Sequence, residues 1–315
     1  MQNVLLFVGG VGVLYFGAEW LVRGAARLAA KLGVRPMVLG LTVVSLGTSA
    51  PELFVSTVAA LEGRGDLAIA NVMGSNLANI GLILGISALV RPMAVAGRTV
   101  TREVPVMLLI TLVLLPLLMD LEIARVEGVI LLTALVAYLA FVMRTAREET
   151  AEVAEEFADF AQAALTPGGL MRDVGLVVLG TGGLVLGAKA IVTAATFIAE
   201  TLGVSELVIG VTMVALGTSL PELVTSAVAA YRQEADIAVG NVIGSNVFNI
   251  AAILGVAATV APLHVSERVL AVEYPAVLVM SLLLVPVMWT QRTIRRLEGA
   301  VLLAAYAGLG FWVLH

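Results

Sequence analysis

Residues 40–85 and 210–255 are two copies of one sequence. GLTVVSLGTSAPELFVSTVAALEGRGDLAIANVMGSNLANIGLILG lies over GVTMVALGTSLPELVTSAVAAYRQEADIAVGNVIGSNVFNIAAILG without a gap. The offset is a constant 170 residues, with 26 identities in 46 positions. The match reaches further toward the N-terminus, where Gly17-Ala18-Glu19 lies over Gly187-Ala188-Lys189 and Leu32-Gly33-Val34 over Leu202-Gly203-Val204. Whatever one copy folds into, the other must closely follow.

The apolarity of the copies says what that is. Of 315 residues, 60% are hydrophobic and 13% charged, and the mean hydropathy is +1.04. Soluble domains are about 45–50% apolar and about 25% charged. About 20 apolar residues cross a bilayer as a helix. Cutting the chain at charges, Pro and Gly predicts ten spans, near 3–31, 36–61, 67–90, 101–119, 126–144, 172–200, 206–231, 237–260, 268–289 and 296–314. The opening MQNVLLFVGG has no basic region and no small-residue cleavage site, so it reads as the first span and not as a cleaved signal. The expected fold is an all-α polytopic membrane protein with ten transmembrane helices in two inverted five-helix repeats, 1–144 and 172–315. Between them, 145–171 holds Glu148, Glu149, Glu152, Glu155, Glu156 and Asp159 and reads as a solvated acidic linker.

Inversion follows from parity: after five spans the second half enters the membrane from the opposite side. Charge placement agrees. Arg23, Arg27, Lys31 and Arg35 follow Gly17, whereas the matching stretch 187–205 has Lys189 alone. Positive residues mark the cytoplasmic side. With both termini outside, 14 of the 18 Lys and Arg fall in the cytoplasm, as does the linker. Inverted repeats are the build of secondary transporters, whose sites lie near the midplane where the repeats meet. The use of 16 Arg against 2 Lys points to a GC-rich prokaryotic source and hence the plasma (inner) membrane.

Several chemistries are excluded early. Cysteine is absent, which removes disulfides and thiolate metal sites, and the two histidines, His264 and His315, are too few for a zinc centre. No nucleophile–base pair is visible, so an enzyme is not expected, and no resident cofactor, nucleic acid or obligate protein partner is implied beyond membrane lipid.

The polar residues gather in the repeat. In GTSAPEL (47–53), Pro51 has no N–H for the Gly47 carbonyl, and Pro221 in GTSLPEL (217–223) does the same to Gly217. Such freed oxygens persist at membrane depth only where protein buries them or a polar cavity takes them. Thr48, Ser49 and Glu52 stand around the first proline, and Thr218, Ser219 and Glu222 around the second. Asn71, Ser75 and Asn79 run at spacing four, as do Asn241, Ser245 and Asn249, with Gly74 and Gly244 leaving room for close backbone approach. Hydroxyl, carbonyl and carboxylate are hard oxygen donors, of which calcium takes about 6–8. Two glutamates supply the charge that balances one divalent ion, and the neutral oxygens also suit sodium. Glycine and asparagine carry a plainer reading too: Gly74, Gly81 and Gly85 as packing sites, and Asn71, Asn76, Asn241 and Asn246 as interhelical hydrogen-bond glue. Packing does not account for Glu52 and Glu222, since it needs no charge beside each proline.

GTSAPEL with ANVMGSN (70–76), repeated as GTSLPEL with GNVIGSN (240–246), resembles the two alpha-repeats of the calcium/cation antiporter superfamily, prokaryotic sodium/calcium exchanger branch. The resemblance covers nearly the whole chain. It implies exchange of cytosolic calcium for external sodium by alternating access, with spans 1 and 6 sliding over the others. It implies metal ligands at Glu52, Glu222, Thr48, Thr218, Ser49, Ser219, Ser75, Ser245, Asn79 and Asn249. Some members carry Asp at one of the two places where this chain has Asn79 and Asn249. Proton-coupled calcium exchange is the alternative, and a cation channel the next. A last pair of charges, Glu19 and Lys189, holds equivalent places deep in spans 1 and 6 and is expected either to approach across the pseudo-two-fold axis or to snorkel to opposite faces.

Overall fold

The computed structural model describes residues 2–148, 169–201, 206–289 and 292–314. The helices are α1 (Gln2–Leu32), α2 in two pieces (Pro36–Thr48 and Ala50–Leu61), α3 (Gly65–Val90), α4 (Thr99–Leu118), α5 (Arg125–Glu148), α6 (Leu170–Thr201), α7 (Glu206–Tyr231), α8 (Ala235–Val260), α9 (Val269–Trp289) and α10 (Arg296–Leu314). Each falls on an expected span. Among the described residues, eight are long and apolar enough to cross a membrane, or nine with the bent α2 pair taken as one. The protein is an integral membrane protein. The acidic linker lies largely outside the described residues.

Local chemistry sets the ends. Pro36 opens α2, in a first turn where a missing N–H costs nothing, and Pro105, inside α4, comes just after the π-type turn Thr99–Glu103. Gly63 closes α2 at φ +72°, with its N–H on the Ala60 carbonyl and the next N–H, of Arg64, on that of Ala59. This left-handed cap suits glycine. The second half makes the same cap with Gln233 at φ +68°, bonded to Ala230, so a side chain there tolerates a conformation it disfavours.

Packing depends on missing side chains. α1 and α6 run antiparallel along their length. A Cβ on Gly17 would lie 2.9 Å from the Gly180 carbonyl oxygen, and one on Gly187 2.9 Å from that of Gly10. In lipid no hydrophobic force drives such pairs together, and close van der Waals contact takes its place. These contacts are reciprocal: Gly10 and Gly17 are 170 residues from Gly180 and Gly187, and each meets the other's equivalent. Gly85 meets Gly299 just as Gly255 meets Gly128. Two short antiparallel ladders behave alike. β1 (Met93–Ala94) pairs with β4 (Thr293–Ile294), and β2 (Glu122–Ile123) with β3 (Leu263–His264), each joining the segment after α3 or α8 to the one before the other half's last helix.

At the centre stand α3 and α8, with 78% and 89% of their apolar windows buried, against 22% for α5 and 11% for α10. Both widen into π-type turns, at Asn79–Ile83 and Asn249–Leu254. Such turns leave a backbone oxygen without its usual partner and gather at functional sites.

Cations collect at one end of the bundle. There Lys31 and Arg27 pair with Asp173, Arg232 pairs with Glu19, and the Arg91 guanidinium reaches the Tyr231 carbonyl. The opposite end has Arg64, Arg125 and Arg268, together with the bond from the Ser266 N–H to Asp66 Oδ1 at 2.9 Å.

Candidate functional site

α2 breaks where its sequence breaks it. The two pieces meet at 48° at Ser49, which has φ −82° and ψ 7°. Pro51 therefore sits in the first turn of the second piece, where its missing N–H matters least, and Glu52 lies in the same turn. A helix N-terminus carries partial positive charge and favours a carboxylate. The second copy differs: α7 runs through Pro221 as one helix, with no counterpart of the π-type turn at Gly40–Val44 that precedes the first bend. The expectation of twin breaks holds for Pro51 only.

All the expected site residues except Ser219, which is half-buried, are 5% exposed or less. Ser49 Oγ lies 3.0 Å from Glu222 Oε1 and 3.1 Å from Ser245 Oγ. The Thr48 hydroxyl also reaches the Glu222 carboxylate, and Thr218 donates to that of Glu52. Each half's threonine thus serves the other half's glutamate, and the two carboxylates are near enough to repel. Thr48 Oγ1 is 3.1 Å from Asn241 Oδ1. Ser75 and Asn79 lie buried one turn apart on α3, and Ser245 and Asn249 likewise on α8.

Two asparagine pairs resolve as glue. Asn71 Nδ2 donates to Ser56 Oγ at 2.9 Å, and Asn241 Nδ2 to Ser226 Oγ at 3.0 Å. Asn76 and Asn246 join the halves: Asn76 Nδ2 donates to the Asn246 carbonyl at 3.3 Å, and Asn249 Nδ2 to Asn76 Oδ1 at 2.9 Å. Sequence reasoning left these between packing and binding, because one residue type at one spacing serves both. Ser45 has a hydroxyl where its counterpart, Ala215, has none. It bonds the Gly40 carbonyl at 2.6 Å and the Asn241 carbonyl at 3.1 Å, pinning α2 to α8. The glycines beside the site part company. A Cβ on Gly244 would sit 2.2 Å from Ser45 Oγ, whereas Gly74 is exposed and a Cβ there would meet nothing within 4 Å. Close approach is needed at Gly244 alone.

Glu19 and Lys189 do not pair. Gly17 of α1 meets both Gly180 and Leu184 of α6, and Gly187 meets both Gly10 and Leu14, so Glu19 lies level with about residue 180, about nine residues or about 13 Å along the antiparallel pair from Lys189. Glu19 instead binds Arg23 and Arg232, with Arg232 Nε 2.8 Å from its carboxylate.

Several buried polar atoms of this cluster have no hydrogen-bond partner among the described residues: Oε2 of both Glu52 and Glu222, both amide atoms of Asn79, and Oδ1 of Asn246 and Asn249. Buried acceptors are seldom left so. No group of three or more His, Cys, Asp or Glu forms among the described residues, so this is no imidazole- or carboxylate-rich centre of the transition-metal kind. Two carboxylates amid hydroxyl and amide oxygens suit a hard, weakly hydrated or divalent cation.

Comparison with known proteins bears directly on such a cluster. The family model described as sodium/calcium exchanger protein matches residues 2–144 and 173–314. The chain is 34% identical to the sodium/calcium exchanger MaX1 of Methanosarcina acetivorans, over 96% of each chain. It is 38% identical to the inner membrane protein YrbG of Escherichia coli, over 92% of this chain and 89% of that one. A solved structure of the sodium-calcium exchanger NCX_Mj, soaked with sodium and calcium, superposes with a TM-score of 0.84 at 32% identity, covering 98% of this chain and 97% of that one. The family is one of cation/calcium antiporters, transporters and not enzymes. With its paired glutamates, threonines and serines brought together from two copies of one motif, this chain belongs to the sodium/calcium exchanger family.

Proposed function

We propose that this protein moves calcium out of a prokaryotic cell in exchange for sodium, by alternating access, at a site made of Glu52, Glu222, Thr48, Thr218, Ser49, Ser219, Ser75, Ser245, Asn79 and Asn249. The observation that carries this reading is the set of partnerless buried oxygens on Glu52, Glu222, Asn79 and Asn249. Two carboxylates in a low-dielectric interior stay charged together only with a cation between them; without one, at least one takes a proton. A divalent ion balances both charges, and sodium ions could share the same neutral oxygens. The names borne by MaX1 and NCX_Mj support calcium and sodium as the exchanged pair.

The architecture in this reading is ten spans in two five-helix halves of opposite orientation. Its support is the reciprocal contacts: Gly10–Gly187 with Gly17–Gly180, Gly85–Gly299 with Gly128–Gly255, and β1–β4 with β2–β3. The cation-rich end faces the cytoplasm and both termini lie outside; the name of YrbG supports the inner membrane. α1 and α6 slide as a unit over the rest, helped by a glycine seam with few side chains to interlock. The site is buried, and its outer side is the more loosely packed. Gly244 is packed on Ser45 in the cytoplasmic half, whereas Gly74 in the outer half faces open space.

Purified protein in sealed vesicles tests this. An imposed sodium gradient is expected to drive calcium uptake, and an imposed pH gradient is not. Uptake driven by pH alone would overturn sodium coupling, and flux indifferent to either gradient would overturn antiport in favour of a pore.

A further inference from the structure

Glu19 of α1 and Lys189 of α6 hold equivalent places in the repeat, with opposite signs and opposite circumstances. Glu19, 4% exposed, is held by Arg23 on its own helix and by Arg232, which directly follows α7. This ties α1 to the helix that carries Glu222. Asp173, 1% exposed, ties α6 to α1 through Lys31 and through Arg27 at 3.8 Å. The Asp173 pairs hold the two helices together, and the Glu19–Arg232 pair fastens them to the remainder at the cytoplasmic end.

The repeat maps Glu19 onto Lys189 and Arg232 onto Glu62. Both signs are reversed, yet the two places still hold one acid and one base. A complementary pair is therefore encoded in the other half, between α6 and the residue directly after α2, at the extracellular end. It is not made in this structure. Lys189 is exposed and has no ion pair among the described residues, and Glu62, 57% exposed, lies 3.8 Å from the equally exposed Arg64.

We propose that Glu62 and Lys189 are positioning residues for the exchange: they pair when the site faces the cytoplasm, as Glu19 and Arg232 part. This rests on the alternating-access reading above. Each state is then fastened by one ion pair at its closed end. Opening the Glu19–Arg232 pair with nothing gained elsewhere would leave one state dominant, even though Arg23 stays on Glu19. The outer pair offsets part of that loss and keeps both states populated.

The test is sodium-driven calcium exchange in right-side-out and inside-out vesicles, with calcium KM measured at each face. Gel filtration of each variant separates a folding defect, a risk for a glutamate at Lys189 within a span, from loss of the pair. Lys189→Glu alone, or Glu62→Lys alone, should raise the cytoplasmic-face KM about threefold, the size expected for losing one exposed ion pair, without raising the external KM. The double reversal, Glu62→Lys with Lys189→Glu, should restore it. Glu19→Gln should raise the external-face KM instead. Equal shifts at both faces, no shift, or no restoration in the double variant would overturn the pairing while leaving wild-type exchange in place. Absence of gradient-driven exchange in the wild type would overturn the alternating-access reading and the latch with it.

Discussion

The two halves carry the same motif and do not treat it alike. In the first, GTSAPEL bends at Ser49, its neighbour Ser45 presses on Gly244, and Glu19 is locked to Arg232. In the second, GTSLPEL runs unbroken through Pro221 and Lys189 stands apart from Glu62, while Gly74, the first-half counterpart of Gly244, faces open space. Some of this is local, since Ser45 is matched by Ala215 and Glu19 by Lys189; the bend is not, since GTSAPEL and GTSLPEL differ at one residue. The difference teaches that one repeated motif can sit in two surroundings, and that this structure gives one to each half.

The strongest way to break that comparison is at the carboxylates. If the halves contribute equally despite their surroundings, Glu52→Gln and Glu222→Gln should each cut calcium exchange to below about 1% of wild type, because each removes half the charge that balances a divalent ion in a low dielectric. The folded protein should remain, as judged by gel filtration. A large loss from one and normal flux from the other would mean that the symmetry of the site is only formal.

The glycines come next. Gly244→Ala places a methyl 2.2 Å from Ser45 Oγ and 2.7 Å from the Leu41 carbonyl oxygen. Such overpacking costs about 1–3 kcal/mol, read as a lowered thermal midpoint in detergent. Gly74→Ala should stay within about 0.5 kcal/mol of wild type. Equal destabilisation would show that the open space at Gly74 is not a property of the resting state.

A smaller effect separates the two ends of the α1–α6 pair. Asp173→Asn removes the carboxylate shared by Lys31 and Arg27, and the place equivalent to Asp173 in the first half is Asn3 already. With partners partly in water, the loss should be about 1–2 kcal/mol, less than for a fully buried pair. A thermal midpoint equal to wild type would mean that the seam alone holds the helices together.

The smallest effect lies at the caps before α3 and α8, where Arg64 and Glu234 are equivalent. Burial first, and then the Asp236 carboxylate, raise Glu234 above the usual carboxylate range. A raised acid binds its proton more tightly folded than unfolded. Its cost is absent below the unfolded pKa, near about 4.3, and grows as pH rises through the folded value. Glu234→Gln should therefore stabilise the protein by a few tenths of a kcal/mol, about the size of a surface effect, at neutral pH and not at pH 4. A gain independent of pH would remove the electrostatic account.

Much of this was legible in the chain. The spans, the repeat and the buried motif follow from apolarity, from the 170-residue offset, and from a proline and a charge where neither belongs in a plain helix. What the sequence did not reveal has physical reasons. Equivalent residues of an antiparallel pair lie at opposite ends of it, so Glu19 and Lys189 match in register without being neighbours. Arg232, the true partner of Glu19, is 213 residues away and carries no local mark. Asn76 and Asn246 could not be divided between glue and ligand, because the same amide serves both. The straight course of α7 through Pro221 has no explanation in the residues around it.

The two short ladders bear on how such a chain is made. Synthesis delivers Met93–Ala94 and Glu122–Ile123 long before their partners, Thr293–Ile294 and Leu263–His264. The first half therefore leaves the ribosome with a bare glycine face on α1, which α6 covers first, and with two open backbone edges that wait for nearly the whole of its twin. Neither half is a finished unit that the other joins; assembly is an event of the last helices, and a chain cut short before α10 has no route to it.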